Sequence, residues 1–118
     1  MGEFDLTSTL DADYYPTEET EYRIGGYAGS VIAFFEELKK VWAYPDFGWH
    51  EEDAEDDIWK TPVRRFRIST AGWGGNEALI SAMRKHFLLW HYSWVQHRRG
   101  GHFIFEVDPN ATVICTRR

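Results

Sequence analysis

The chain has 118 residues and a net charge of −6. This length is enough for one domain with its own hydrophobic core, and the single cysteine excludes an internal disulfide. Apolar runs fall far short of the ~20 residues that span a bilayer, and residues 1–5 lack the charged and apolar regions of a signal peptide, so we expect a soluble cytoplasmic protein without membrane contact. The overall acidity also disfavours direct binding to double-stranded DNA.

The first part of the chain predicts an arm followed by a helix. Residues 1–20 are polar, acidic and rich in threonine, which predicts an N-terminal arm, and residues 21–118 are expected to form a single domain. Ser30 is a good helix cap and apolar residues follow it at helical spacing. We therefore expect a first helix over residues 30–44, which Pro45 ends.

The second part predicts a strand, a second helix and a hairpin. Alternation over residues 62–70 predicts a strand with Phe66 and Ile68 facing inward and Arg65 and Arg67 facing outward. The further predicted elements are a helix from Asn76 or Glu77 to His86 with Asn76 as its cap, a hairpin of residues 89–97 and 102–108, and a last strand over 112–116 that places Cys115 as a small buried residue. This order predicts an α+β fold of two layers, an antiparallel sheet of about 3–5 strands packed on two helices.

Charge is divided unevenly between the two halves of the chain. Residues 1–60 hold 16 of the 19 acids and four of the 13 bases, a net charge of −12, whereas residues 61–118 carry +6. Either the halves pack together and neutralise each other, or an acidic surface faces a cationic partner and a basic surface faces phosphate. The acidic run over residues 51–57 predicts a solvated loop or a frayed helical turn. It lacks the glycine and the terminal glutamate of a calcium-binding EF-hand loop.

A glycine-rich segment, called the glycine turn below, joins the predicted strand to the second helix over residues 69–77. Glycines allow a tight turn and close approach to a ligand, and the first amides of a helix attract anions. Trp73 would then stack on a base or ring, unless it only folds over the edge of the core. The segment is neither a Walker loop nor a Gly-x-Gly-x-x-Gly motif. Its candidate ligand-binding residues are Ser69, Thr70, Gly72, Trp73, Gly74, Gly75, Asn76 and Glu77.

The predicted hairpin has an aromatic face and a polar face. A turn of two or of four residues gives the same register, in which Trp94 faces Phe105 on the core side. The opposite side would pair His97 with His102, Ser93 with Glu106 and His91 with Asp108. This face is either solvent-exposed without a specific role or binds a ligand. Together with the arginines of its turn, the hairpin contributes the ligand-binding candidates His91, His97, Arg98, Arg99 and His102.

The same polar face allows catalytic hypotheses. A serine hydrolase is disfavoured, because His91 and Ser93 would lie two residues apart on one strand. A small nuclease or phosphoesterase that uses His91, His97, His102 and Glu106 is the third hypothesis for function. A closed zinc site needs three or four ligands at known spacing, and the sequence has no Cys-x-x-Cys or His-Glu-x-x-His, so we predict neither a metal nor another cofactor.

Two linked motifs resemble those of small uncharacterised proteins encoded by bacteriophages. The run from Ile68 to Glu77, the later tryptophans and Arg99-Gly-Gly-His-Phe are similar to that group's Ser-Thr-Gly-Gly-Trp-Ser-Gly-Asn-Glu and Arg-Gly-Gly-His-Tyr/Phe patterns. The similarity covers about residues 66–107 and departs at Ala71 and Gly74, where Gly and Ser are commoner. It implies a phage origin and a link between the two motifs, and assigns no reaction.

These observations predict a non-catalytic phage protein that binds a small anionic, nucleotide-like ligand between the glycine turn and the polar face and tip of the hairpin. Such binding would suit sequestration of a host defence signal. The alternative is an acidic protein-interaction module, in which the arm and residues 51–57 occupy the basic groove of a host nucleic-acid-binding protein. Six Trp and eight Phe exceed the need of so small a core, which is consistent with a homodimer interface.

Overall fold

Helices and strands form two layers in the computed structural model, which describes residues 4–115. The helices are α1 (Glu18–Gly25), α2 (Val31–Val41), α3 (Pro45–Gly48), α4 (Gly74–Lys85) and α5 (Phe87–Ser93), with a short 3-10 turn over Thr7–Thr9. The strands are β1 (Gly29–Ser30), β2 (Trp49–Glu55), β3 (Pro62–Ser69), β4 (Trp94–Arg98), β5 (His102–Val107) and β6 (Thr112–Val113). The predicted α+β class is confirmed.

The main sheet is antiparallel and has the strand order β2-β3-β5-β4, while β1 pairs with β6. Helices cover one of its faces: Phe35 of α2 stacks on Phe66 of β3 with 4.5 Å between ring centroids. The opposite face, called the open face below, follows from the strand registers. It carries His50, Glu52, Arg65, Arg67, Ser69, Gln96, Arg98, His102, Ile104 and Glu106, all exposed or partly exposed.

Helix α2 confirms the predicted first helix and differs at its end. The Ser30 hydroxyl accepts a hydrogen bond from the Ala33 amide at 3.2 Å, which is the expected cap. Pro45 does not end this helix, because α2 stops at Val41 and Pro45 begins the short α3. The chain turns between them at Tyr44, which has a positive φ of 60°.

Residues 51–55 of the acidic run belong to strand β2, so the predicted loop or helical turn is wrong there; residues 56–57 lie in the turn that follows. Arg64 of β3 donates to Glu51 at 2.8 Å and to Asp53 at 2.9 Å, and Arg65 donates to Glu52 at 3.2 Å. These arginines offset the repulsion among the carboxylates of an edge strand. The two halves of the chain therefore neutralise each other along β2 and β3.

Asn76 is not the cap of the second helix, because α4 already begins at Gly74. Its side chain is fully buried. The Asn76 carboxamide accepts from the Ala43 amide at 2.9 Å and donates to the carbonyl oxygens of Ala43 at 3.0 Å and Thr70 at 3.3 Å. The residue thus fastens the glycine turn to the loop after α2.

Residues 87–93 form helix α5, so the predicted first half of the hairpin strand is wrong. His86 caps this helix: its Nδ1 accepts from the Leu89 amide at 3.2 Å and its Nε2 donates to the Tyr27 carbonyl at 2.8 Å. Ser93 is buried and its hydroxyl donates to the Leu89 carbonyl at 2.5 Å. The expected pairs of Ser93 and His91 with residues of β5 are absent from the ladder that the structure describes.

A β-bulge changes the register of the remaining hairpin. Trp94 faces Phe105 as predicted, but an irregularity between Trp94 and Gln96 shifts the following pairs by one residue. His97 therefore lies opposite Phe103 rather than His102. Beyond β5, the last strand is shorter than expected and Cys115 is exposed rather than buried; residue 116 lies outside the described residues.

The start of the chain packs on the domain, which differs from a loose arm. Leu6 is fully buried, and its amide donates to the Glu37 carboxylate at 2.9 Å. Helix α1 crosses the expected arm boundary at residue 20, where the Thr20 hydroxyl contacts that of Thr9 at 2.6 Å. No helix among residues 4–115 is long and apolar enough to cross a membrane.

Candidate functional site

The glycine turn and the tip of the hairpin (residues 98–102) are in direct contact. The Thr70 amide donates to the Gly101 carbonyl at 3.0 Å, and the Thr70 side chain is buried. Gly101 has a φ of +79°, and a Cβ there would overlap the Thr70 hydroxyl. Glycine is therefore required at Gly101 for this close approach.

A cavity of about 690 Å³, called the basic cavity below, opens on the open face beside this contact. Its walls come from α3, β2, β3, β5 and the hairpin tip. The residues that line it are Phe47, Gly48, His50, Arg67, Ile68, Ser69, Arg98, Arg99, His102, Phe103 and Ile104. Its volume falls within the range of small-ligand sites.

The basic cavity is cationic although the protein is acidic. Its lining includes three arginines and two histidines, and no carboxylate from the described part of the chain. The Arg67 guanidinium lies 3.2 Å from the Glu52 carboxylate, which offsets part of its charge. Within residues 4–115, Arg98 and Arg99 have no ion-pair partner. Both guanidinium groups are exposed and open to an anion.

Strand pairing brings these groups into one row. Ser69 of β3 lies opposite His102 of β5, which in turn lies opposite Arg98 of β4. The β-bulge is essential here, because without the one-residue shift His97 would take the position of Arg98 on the open face. A local irregularity of β4 thus decides which side chain of the hairpin faces the cavity.

Helix α3 supplies an aromatic wall. Phe47 is 78% exposed and lines the cavity. Gly48 holds this helix against β3: a Cβ on it would lie 2.7 Å from the Ser69 carbonyl oxygen. An exposed ring beside guanidinium groups offers a stacking surface for a base.

A second cavity of about 290 Å³ lies between α4 and the hairpin, and the contact of Thr70 with Gly101 forms part of its wall. We call it the mixed-charge cavity. The residues that line it are Thr70, Glu77, Ile80, Ser81, Arg84, His97, Gly101 and Phe103. A carboxylate and a guanidinium at one cavity distinguish it from the basic cavity.

The structure divides the predicted site residues into three groups. Those at the basic cavity are Ser69, Arg98, Arg99 and His102. Those at the mixed-charge cavity are Thr70, Glu77 and His97. Those in the lining of neither cavity are Gly72, Trp73, Gly74, Gly75, Asn76 and His91.

The start of α4 is covered by side chains. Trp73 lies edge-on to Tyr15 with 5.4 Å between ring centroids, and a Cβ on Gly75 would overlap the Trp73 ring. Gly75 and Asn76 are buried. This geometry fits the structural alternative for Trp73, because the ring folds over its own helix, and Gly74, Gly75 and Asn76 line neither of the two cavities.

Sequence reasoning did not include Arg67, His50 or Phe47 among the site residues. The signal for Arg67 was present, since alternation in β3 already placed it outward. His50 joins the site because β2 pairs with β3 and puts it opposite Arg67. The pairing of β2 with β3 could not be predicted from the sequence, because the acidic run lacks the alternation of apolar and polar residues that indicates a strand.

The four residues of the nuclease hypothesis do not come together in one cluster among the described residues. His91 is on α5 with its ring stacked on Phe87, and the His97 ring stacks on Phe103 with 4.1 Å between centroids. The Glu106 carboxylate accepts from Arg65 at 2.8 Å. Among residues 4–115, no group of three or more His, Cys, Asp or Glu side chains is placed to hold a metal ion.

Comparison with known proteins assigns neither a family nor a function to this chain. No protein-family model, curated protein or solved structure matches the chain.

Proposed function

We propose that the protein binds a small anionic, nucleotide-like ligand in the basic cavity, without turnover. The observation that carries this proposal is a cavity of about 690 Å³ with three arginines, two histidines and no lining carboxylate from the described residues. A phosphate group would form charge-assisted hydrogen bonds with Arg98 and Arg99, which have no acid partner within residues 4–115.

The other walls supply orientation. The Ser69 hydroxyl oxygen accepts from the Ala71 amide at 3.3 Å, which leaves its proton available for an anion oxygen. Phe47 offers its exposed ring to a base on the opposite side of the cavity. Phosphate at the hairpin tip and a base at α3 would together account for the size of the cavity.

Binding without turnover is favoured by the surroundings of the histidines. An imidazole that acts as a general base is usually oriented by a carboxylate. His50 and His102 line a cavity to which the described chain contributes no carboxylate. The resemblance of the two motifs to phage proteins implies a phage origin and no role; in the cytoplasm of an infected host, such binding would suit sequestration of a signalling nucleotide.

An acidic protein-interaction surface has less support. Glu51, Glu52 and Asp53 are ion-paired with arginines of β3, which leaves less free charge for a partner's basic groove.

The test is isothermal titration with inorganic phosphate and a panel of nucleoside mono-, di- and triphosphates and cyclic dinucleotides. The double variant Arg98→Gln/Arg99→Gln should lose at least about a hundredfold in affinity, since each of the two lost charge-assisted hydrogen bonds contributes about 1.5–3 kcal/mol. The matched control is Lys60→Gln/Lys85→Gln, which removes two exposed charges outside both cavities. It should bind as the unaltered protein does.

Two outcomes would overturn the proposal: no heat with any member of the panel, or equal losses in the arginine variant and its lysine control. Phe47→Ala then separates the two parts of the ligand. It should weaken nucleotide binding about tenfold and leave the affinity for inorganic phosphate unchanged. Release of a product from the bound nucleotide would contradict binding without turnover.

A further inference from the structure

The mixed-charge cavity has two opposite charges on one side of α4. Glu77 and Arg84 are seven residues apart, close to two helical turns, so both lie on the same side with about 10 Å between them along the axis. Both side chains are exposed, and both line the cavity. Ser81 lies between them and lines it as well.

Aromatic contacts, rather than ion pairs, hold the polar groups of this cavity. The Arg84 guanidinium carbon lies 4.9 Å from the centroid of the Trp90 ring, a cation–π contact. The His97 ring stacks on Phe103. Within the described residues 4–115, neither Glu77 nor Arg84 has an ion-pair partner. Trp90 therefore holds the Arg84 charge in place, and the charges of both Glu77 and Arg84 remain unneutralised by the described residues.

We infer that the mixed-charge cavity binds a small zwitterion of dipeptide size. Its ammonium group would pair with Glu77, its carboxylate with Arg84, and its apolar middle would lie on Ile80 and Phe103. An extended dipeptide spans about 7 Å, and the two long side chains cover the rest of the separation along α4. The volume of about 290 Å³ suits a ligand of this size.

Other ligand classes fit this cavity less well. A nucleotide would bring its phosphates close to the Glu77 carboxylate, and like charges at short distance repel. A purely apolar ligand would desolvate Glu77 and Arg84 without pairing either of them. The inference is independent of the basic cavity, with which this one shares Phe103 alone among their lining residues.

The experiment is a titration of the isotopically labelled protein with the dipeptide Gly-Leu, followed by NMR. Saturable shifts are expected for amides of α4 and the hairpin tip at ligand concentrations up to about 20 mM, which detects dissociation constants of about 1 mM. N-acetyl-Gly-Leu and Gly-Leu-amide, which each lack one charge, should bind at least about tenfold more weakly. No saturable shift at this site, or equal binding of all three peptides, would overturn the inference.

Variants assign each charge to its partner. Glu77→Gln should bind Gly-Leu and N-acetyl-Gly-Leu equally, whereas Arg84→Gln should bind Gly-Leu and Gly-Leu-amide equally. A variant that still discriminates against its own blocked peptide would contradict the assignment. Arg98→Gln/Arg99→Gln is the control that should bind Gly-Leu unchanged, which separates failure here from failure of the proposed anion site.

Discussion

The two ends of strand β3 carry arginines in different electrostatic surroundings. Arg64 and Arg65 each contact two carboxylates, at distances of 2.8–3.2 Å. Arg67, nearer the other end, contacts one carboxylate among residues 4–115, that of Glu52, and lines a cavity with Arg98 and Arg99. The net charge of a domain therefore does not give the sign of a site within it, because neutralisation is local.

The strand register explains why carboxylates neutralise Arg65 more fully than Arg67. Glu52 of β2 and Glu106 of β5 both lie opposite Arg65. Arg67 lies opposite His50 on one side and Ile104 on the other. The acidic run begins at residue 51, so strand pairing places no acid directly opposite Arg67, and the basic end of the open face starts there.

The largest expected effect is on the neutralised end. In Arg65→Ala the free energy of unfolding should fall by about 3 kcal/mol, because the Glu106 carboxylate, whose side chain is 12% exposed, loses its partner. The same hydrogen bond to Glu106 raises the pKa of Arg65. Urea denaturation measures the loss. Arg67→Ala, which breaks an exposed pair, should cost less than about 1 kcal/mol. Equal losses in the two variants would contradict the claim that Arg65 and Arg67 lie in different electrostatic surroundings.

The next effect is on the contact that holds the basic end in place. Gly101→Ala should destabilise the fold by about 2 kcal/mol, because its positive φ is strained for alanine and the new Cβ meets Thr70. Gly100→Ala is the control: its φ is also positive, at +89°, but a Cβ there lies 3.4 Å from the His102 ring, an ordinary contact. Its loss should be about 1 kcal/mol by the same denaturation. A smaller loss for Gly101→Ala than for Gly100→Ala would show that Thr70 does not constrain the tip.

The free energy of unfolding should depend on pH through those carboxylates that pair with arginines of β3. Burial raises the pKa of Glu51, but hydrogen bonds from Arg64 and Trp49 and the charge of Lys39 outweigh it, so the pKa lies below its ordinary value. A lowered pKa stabilises the fold above the unfolded-state pKa, and that stability is lost as pH falls through the folded-state value.

Glu51→Gln should therefore cost about 1 kcal/mol at pH 7 and progressively less below about pH 4. Denaturation at a series of pH values measures this difference. Glu55→Gln, on the same strand and without an ion-pair partner among residues 4–115, is the control. A difference for Glu51→Gln that stays constant down to low pH would rule out the carboxylate as its source.

The smallest expected effect concerns Glu52, the residue whose carboxylate lies between the neutralised and the basic end of β3. Glu52→Gln removes the one carboxylate of residues 4–115 that contacts Arg67, and it should raise the affinity of the basic cavity for nucleotide about two- to fivefold, the size of an exposed ion pair. Titration calorimetry measures it. Glu55→Gln removes the same charge without touching Arg67. Equal gains in both variants would mean that the general field of the acids, rather than the pairing with Arg67, is responsible.

Elements with a local signal could be predicted from the sequence. The Ser30 cap and the apolar spacing after it predicted α2, and alternation predicted β3 with Phe66 and Ile68 inward. Both signals lie within one segment and need no distant partner.

Elements that depend on distant residues could not be predicted in this way. The acidic run forms a strand because Arg64 and Arg65 lie beside it after folding. Helix α5 forms where the sequence suggested a strand, since its cap, His86, is held by the Tyr27 carbonyl from the other half of the chain. Such tertiary contacts override weak local propensity.

By itself, the sequence determined the α+β class and indicated four residues at the basic cavity: Ser69, Arg98, Arg99 and His102. The tertiary structure alone decided that Arg67, His50 and Phe47 join them, and that the start of α4 is closed by Trp73. The reason is geometric: a glycine turn or an arginine pair is visible along the chain, but the face of a sheet on which a side chain stands depends on register, which non-local pairing and a single bulge decide.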